Sequence, residues 1–238
     1  SILERMFPDF ESLRRAVLYK QDAIVEELGV RIEWRQFASL QPFEFMNAHN
    51  DLIICYAIPN QETDELTYFD MYRRVSGDIY AITDIGKGSK LVDETGKILN
   101  DTWFHQIGKP DSSGFPVPVA RKNADHTVEW NLLDSDGKIL LDSWYRNLNG
   151  PYGRKYIVIK DDDGMARLCL AETGEPILDP MDTIRHNIID QTHVFMMEKD
   201  SLFNYWVDGV FLLDEWTSSP MAYADLYRLM RKRNGLSI

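Results

Sequence analysis

Several short stretches carry residue types that do chemistry in other proteins. Gly86-Lys87-Gly88-Ser89-Lys90 has the composition of a phosphate loop. That motif needs a glycine five positions before a Gly-Lys-Ser/Thr triplet, so that backbone N–H groups cradle the phosphates. Here the order is Lys-Gly-Ser, and the stretch reads as a linker. Asp134-Ser135-Asp136-Gly137 and Asp161-Asp162-Asp163-Gly164 open like calcium loops. The position six beyond each glycine should supply a bidentate carboxylate, and it holds Ser143 or Leu170. Both stretches read instead as hairpin turns shaped by Asp and Gly. The histidines are His49, His105, His126, His186 and His193. None lies four residues from another, so no helical metal pair exists, although two in neighbouring repeats can still meet in space. No Gly-x-Ser-x-Gly elbow occurs, and neither Cys55 nor Cys169 has a histidine nearby in the chain. Carboxylates are abundant but unpatterned, so they do not define a glycosidase pair. The expectation is a non-enzyme with no catalytic, cofactor-binding or metal-binding residues.

What does recur is structural. Leu91-Val92-Asp93-Glu94-Thr95-Gly96-Lys97-Ile98-Leu99 returns as Leu132-Leu133-Asp134-Ser135-Asp136-Gly137-Lys138-Ile139-Leu140, with Gly96 and Gly137 41 residues apart. A weaker copy centres on Gly174 and a shortened one on Gly209. Seven residues after these glycines stand Trp103, Trp144, Met181 and Trp216. A repeat of this period indicates stacked β units that bury each other's faces. Gly96, Gly137, Gly174 and Gly209 are therefore the expected turn residues. Trp103, Trp144, Met181 and Trp216 are the expected repeat core, because methionine replaces a core filler but not a sugar-stacking ring. Trp206 joins the tryptophans only in the competing picture of a sugar-binding surface.

The rest of the chain must position these hairpins. Residues 8–28 have near-helical apolar spacing, stopped by Gly29. Val30, Ile32 and Trp34 alternate with charged residues as in a half-buried strand, and residues 41–46 read as a helical turn. Strands are expected over 52–58, 67–75 and 79–85, the last two joined at Ser76-Gly77-Asp78. Residues 1–85 thus form an N-terminal α+β segment, with a boundary at 84–89, followed by β repeats over 86–217. Further strands are expected at 115–120, 155–160 and 193–198. A C-terminal helix over 218–238 closes the array, with Ser219 as N-cap and Pro220 as its first residue. Ala222, Leu226, Leu229 and Met230 make its apolar face, and Arg231-Lys232-Arg233 sit at its negative end. The fold class is mainly β with flanking helices: antiparallel hairpin repeats after an α+β segment.

The formal charge of −12 disfavours direct nucleic-acid binding. Two cysteines in apolar runs suit a reducing compartment. No apolar run approaches the ~18 residues of a membrane span, and no charged-then-apolar leader opens the chain. These features predict a cytoplasmic protein, or one assembled into a phage particle, that engages protein partners and can form a homo- or hetero-oligomer.

Residues 89–217 resemble the WG-repeat family of bacterial and phage proteins. The family pattern runs Trp-Gly-aromatic-Ile-Asp, two residues, Gly-Lys, an apolar pair, and then Trp-Tyr-Asp. Trp130-Asn131-Leu132-Leu133-Asp134, Gly137-Lys138-Ile139-Leu140 and Trp144-Tyr145 match it well. Leu91-Val92-Asp93, Gly96-Lys97 and Trp103-Phe104 match nearly as well. Asn131 and Asn204 stand where the family's glycine would be; Lys90 and Arg167 hold that place elsewhere. The resemblance implies a binding or structural assembly module and brings no catalytic residue. An acidic inhibitor, of immunity or anti-defence type, and a carbohydrate-binding domain are the alternatives.

The hairpin-turn reading is tested at one position. Gly137→Val should destabilise by about 1–3 kcal/mol, because β-branched residues are strongly disfavoured at positive φ. Lys138→Ala should cost far less, and equal denaturation midpoints for the two variants would remove the turn reading.

Overall fold

The computed structural model describes residues 30–33, 43–47, 55–59, 66–111 and 114–236. The helix expected over 8–28 lies outside the described residues. Strands β1 (Val30–Glu33), β2 (Phe43–Asn47), β3 (Cys55–Pro59) and β4 (Leu66–Phe69) form an antiparallel meander in chain order. The helical turn expected at 41–46 is instead β2. It pairs with β1 on one side (Glu33 opposite Glu44) and β3 on the other (Phe43 opposite Ala57). Pairing along both edges satisfies backbone groups that an isolated helical turn leaves open.

The strand expected over 67–75 breaks at Asp70. Its second half is β5 (Met71–Ser76), which opens the next sheet with β6 (Ile79–Asp84), β7 (Gly88–Asp93) and β8 (Ile98–Phe104). The Asp70 carboxylate accepts the Ile85 N–H at 2.7 Å, tying this break to the β6 end. The stretch 84–89, expected as a linker and boundary, is therefore the turn between β6 and β7. Six residue pairs run up to it, from Ile79 opposite Asp93 to Asp84 opposite Gly88.

Three further sheets follow. The first holds β9 (Gln106–Ile107), β10 (Val117–Lys122) and β11 (Val128–Leu133), and the second β12 (Leu148–Tyr152), β13 (Tyr156–Lys160) and β14 (Ala166–Leu170). The last holds β15 (Thr183–Ile189), β16 (Thr192–Lys199), β17 (Leu202–Val207) and β18 (Val210–Phe211). The described residues are thus mainly antiparallel β, closed by one C-terminal helix, Tyr223–Arg233. No helix among them is long and apolar enough to cross a membrane. The chain divides into two compact units. One comprises 1–110, 114–128 and 132–139; the other comprises 111–113, 129–131 and 140–238.

In the first unit, Ile58, Phe69, Tyr80, Ile82 and Val92 form a buried cluster, with Tyr72, Ile98 and Trp103 packed on it. In the second, the last sheet is buried on both faces, which explains the continuous apolar run at 194–197. Phe195, Met197 and Trp206 pack with Val158, Leu168 and Met181 on one face. Val194, Tyr205 and Val207 pack under Leu226 and Met230 of the helix on the other.

That helix begins later than its sequence punctuation suggests. Its N-cap is Ala222, without a side-chain cap bond, whereas Ser219 only offers its carbonyl to the Thr217 hydroxyl at 2.9 Å. The Met221 N–H donates to the Tyr205 hydroxyl at 2.7 Å. Residues 219–221 thus bridge to the sheet before the helix starts. At the far end, Arg233 Nη1 lies 3.2 Å from Asp208, and Arg231 Nη1 3.9 Å from Asp190. The basic tail is docked on two turns of the sheet. Met230→Ala should lower stability by about 2–5 kcal/mol as a buried truncation. Arg228→Ala, at an exposed i,i+3 pair with Asp225, should stay within about 0.5 kcal/mol. Urea denaturation of both variants checks the capping role.

Candidate functional site

The recurring turns are built from their own aspartates. The Gly96 N–H donates to the Asp93 carbonyl at 3.1 Å, and the Asp93 N–H to the Lys97 carbonyl at 3.0 Å. The Asp93 carboxylate accepts the Thr95 and Lys97 N–H groups at 2.8 and 3.0 Å. Asp134 repeats the pattern, accepting from Asp136 and Lys138 at 2.9 Å each. This is a three-residue hairpin loop whose last residue is left-handed. Gly96 and Gly137 occupy that place at φ +84° and +80°, whereas Gly174, at +76°, closes a four-residue loop and Gly209, at +90°, follows Asp208 in a two-residue turn between β17 and β18. At Gly137 space is an added constraint, since a Cβ would stand 2.6 Å from the Leu99 carbonyl oxygen. Asp161-Asp162-Asp163-Gly164 makes the same turn between β13 and β14: the Gly164 N–H donates to the Asp161 carbonyl at 2.9 Å. The Asp161 carboxylate is paired with Arg167. The calcium-like stretches therefore spend their acids on turn geometry.

A second recurring device went unread in the sequence. Beyond its turn, the chain after β11 rejoins that strand at two isolated bridges, Leu133 opposite Ile139 and Trp130 opposite Tyr145. Between these bridges the ladder is interrupted, as in a large β-bulge. The fully buried Asn131 fills the interruption with its amide. Its Nδ2 donates to the Leu141 and Ser143 carbonyls at 2.9 and 3.1 Å, and its Oδ1 accepts the Leu141 N–H at 3.0 Å. Asn204 does the same in the last sheet, with Nδ2 to the Leu213 carbonyl at 3.0 Å and Oδ1 from the Leu213 N–H at 3.2 Å. A primary amide carries both a donor and an acceptor, so it substitutes for one backbone pair. At the corresponding place before Gly96, the buried Lys90 pairs with Asp101 of β8. Arg167 turns instead to Asp161.

The positions seven after the glycines are not equivalent. Met181 is 3% exposed and belongs to the second unit's core. Trp103, Trp144 and Trp216 are half-buried. Trp103 packs on its cluster with the Lys90 ammonium 4.7 Å from its ring centre, and Trp216 leans on Phe211 at 5.4 Å. The fully buried side chains include the third-strand residues Leu91, Leu132, Leu133, Leu168 and Tyr205, beside Ile82, Ile157 and Phe195 of the second strands.

Among the titratable candidates, burial pushes the Cys169 thiol up to about 11, which leaves little thiolate at neutral pH. The Cys55 side chain and His49 lie outside the described residues. His105 is exposed, and His126 sits at φ +67° in the β10–β11 turn. His186 and His193 come together: Nε2 of the first is 2.7 Å from Nδ1 of the second. Around them Tyr152, Tyr156, Phe195 and Trp206 form an aromatic cluster. Among the described residues, no group of three or more His, Cys, Asp or Glu side chains is arranged to hold a metal ion.

No family model matches the chain, and no curated protein sequence matches it. Among solved structures, the computationally designed Ika8 protein is similar at 14% identity and TM-score 0.31, over 82% of this chain and 74% of that one. BamB from Moraxella catarrhalis is similar at 11% and 0.33, over 77% and 62%. The WD40 beta propeller domain of Doa1 is similar at 11% and 0.30, over 79% and 68%.

Two comparisons check the assignments above. Asn131→Ala leaves the buried Leu141 N–H and carbonyl without their partner, and should cost about 2–6 kcal/mol at about 1–3 kcal/mol per buried group. Asn187→Ala, at an exposed position, should stay within about 0.5 kcal/mol. At the repeat-core position, Met181→Ala should cost about 2–5 kcal/mol, and more than Trp144→Ala measured in the same denaturant series. A larger loss at Trp144 would place the core at the tryptophans after all.

Proposed function

We propose that this chain is a non-catalytic protein-interaction or assembly module built from WG-like β repeats. The observation that supports it most is where the recurring side chains are used. Asp93 and Asp134 cap their own turns, Asn131 and Asn204 close interrupted ladders, and the third strands fill the core. The turn tips face outward: Glu94, Asp136, Glu172 and Asp208 are all exposed, Asp208 beside Arg233. A frame that folds on its repeated residues, and presents charged ones on loops, suits recognition of another protein. A phage particle component and a bacterial intracellular partner protein both fit this reading.

The exposed acidic tips and the −12 charge also favour a second reading, an inhibitor that masks a basic site. A sugar platform draws less support, because the Trp103 ring is approached by Lys90 and the Trp216 ring rests on Phe211. The experiment is capture from native lysate with the full chain, followed by titration of the recovered partner. Glu94→Gln combined with Asp136→Asn and Glu172→Gln should weaken binding about tenfold, with unchanged melting. Steep loss of affinity with salt marks the masking inhibitor. Affinity indifferent to both the variant and salt would sink the turn-tip assignment.

A further inference from the structure

In the second unit, the sheet β12–β14 meets the hairpin β15–β16 at a pair of histidines. His186 Nε2 and His193 Nδ1 are 2.7 Å apart, with ring centroids 4.9 Å apart and planes 28° from parallel. The rings therefore meet edge to edge through these nitrogens rather than face to face. One ring must donate N–H into the lone pair of the other, which requires at least one neutral imidazole. A first added proton leaves that hydrogen bond intact. A second leaves two N–H groups and two positive charges facing each other.

The pair is held between the two sheets. Tyr152 of β12 lies over His186, with centroids 4.0 Å apart and planes at 23°. Gly153 backs onto His193 so closely that a Cβ would stand 3.0 Å from its Cδ2 and Nε2. Phe195, fully buried, closes the group from β16 at 5.2 Å from His186 and 5.7 Å from Tyr152.

We propose that the His186–His193 pair is an acid-sensitive latch between these sheets. It holds the Tyr152 end of β12 on the β15–β16 hairpin while it carries at most one proton, and lets go when it takes the second. The titratable and charged groups on the surrounding elements are Tyr152 on β12, Arg154 and Lys155 in the following turn, and Tyr156 on β13. Lys160 ends β13, Arg185 is on β15, Glu198 and Lys199 are on β16, and Asp190, in the turn between β15 and β16, faces Arg231 at 3.9 Å. Lys155 lies over the Tyr156 ring at 5.2 Å, Glu198 accepts from the Thr183 hydroxyl at 3.1 Å, and Arg185 is exposed. Burial first, and the charge of His193 second, lower His186 from 6.5 to about 4. The folded chain then binds fewer protons than the unfolded chain between those values. The latch's contribution is present above pH 6.5 and is lost as pH falls toward about 4.

The test is nitrogen-15 NMR of the histidine rings together with amide exchange, on the full chain from pH 7.5 to 4. The two rings should titrate in separated, coupled steps, and exchange of the β12 amides should quicken about tenfold or more with the second step. The His186→Phe variant keeps a ring for Tyr152 and removes the second charge. Its β12 exchange, corrected for intrinsic rates, should not respond to the same acidification. His193→Gln keeps a hydrogen-bond partner for His186 and serves the same purpose if the phenylalanine variant does not fold. Independent titration of the two rings, or equal acid response in parent and variants, would overturn the latch.

Discussion

A buried side-chain amide standing in for a stretch of missing β ladder is the interaction on which two of the four repeats depend. After each turn the chain must return along its own third strand, yet the return segments are longer than the strand they cover. The surplus bulges out between two bridges, and a bulge inside a folded unit strands backbone donors and acceptors. Asn131 and Asn204 answer that locally, each supplying a donor and an acceptor to the backbone opposite. β8 bulges in the same way opposite Lys90, between Ser89 paired with Phe104 and Leu91 paired with Asn100, and there Lys90 pairs with Asp101. The third copy also rejoins at two bridges, Ala166 opposite Met181 and Cys169 opposite Pro176, and there Arg167 turns to Asp161.

The turns were legible in the sequence and these ties were not, for a physical reason. A left-handed turn residue is a local demand that glycine meets alone, so Gly96 and Gly137 announce themselves beside their aspartates. Asn131 and Asn204 answer a demand set by residues nine to twelve positions further on. The sequence showed only Lys, Asn, Arg and Asn in a column that the WG pattern gives to glycine. The His186–His193 contact was hidden in the same way. Seven residues apart, the two rings meet only because the turn at Asp190-Gln191 sets Asn187 opposite Val194.

Elsewhere local signals gave way to tertiary contacts. Ser219-Pro220 is a sound helix start in isolation, but the Tyr205 hydroxyl claims the Met221 N–H and delays the helix to Tyr223. Residues 43–47 carry no clear period and become a strand through pairing on both edges. The tryptophan column looked uniform because large apolar residues recur there. The packing separates a buried Met181 from three half-buried rings. In the first two cases tertiary partners overrode a local backbone signal; in the third the repeat was readable and the burial of its column was not.

The functional account rests on that division between residues that fold the frame and residues left for recognition. Its central physical claim is that side-chain amides replace backbone pairing at Leu141 and Leu213. Hydrogen exchange of those two amides, read by NMR on the unaltered chain at neutral pH, tests it most directly. Both should be protected as strongly as the ladder amides of β13 and β16, which pair backbone to backbone. Exchange of either amide at the rate of the exposed turn tips would contradict the account.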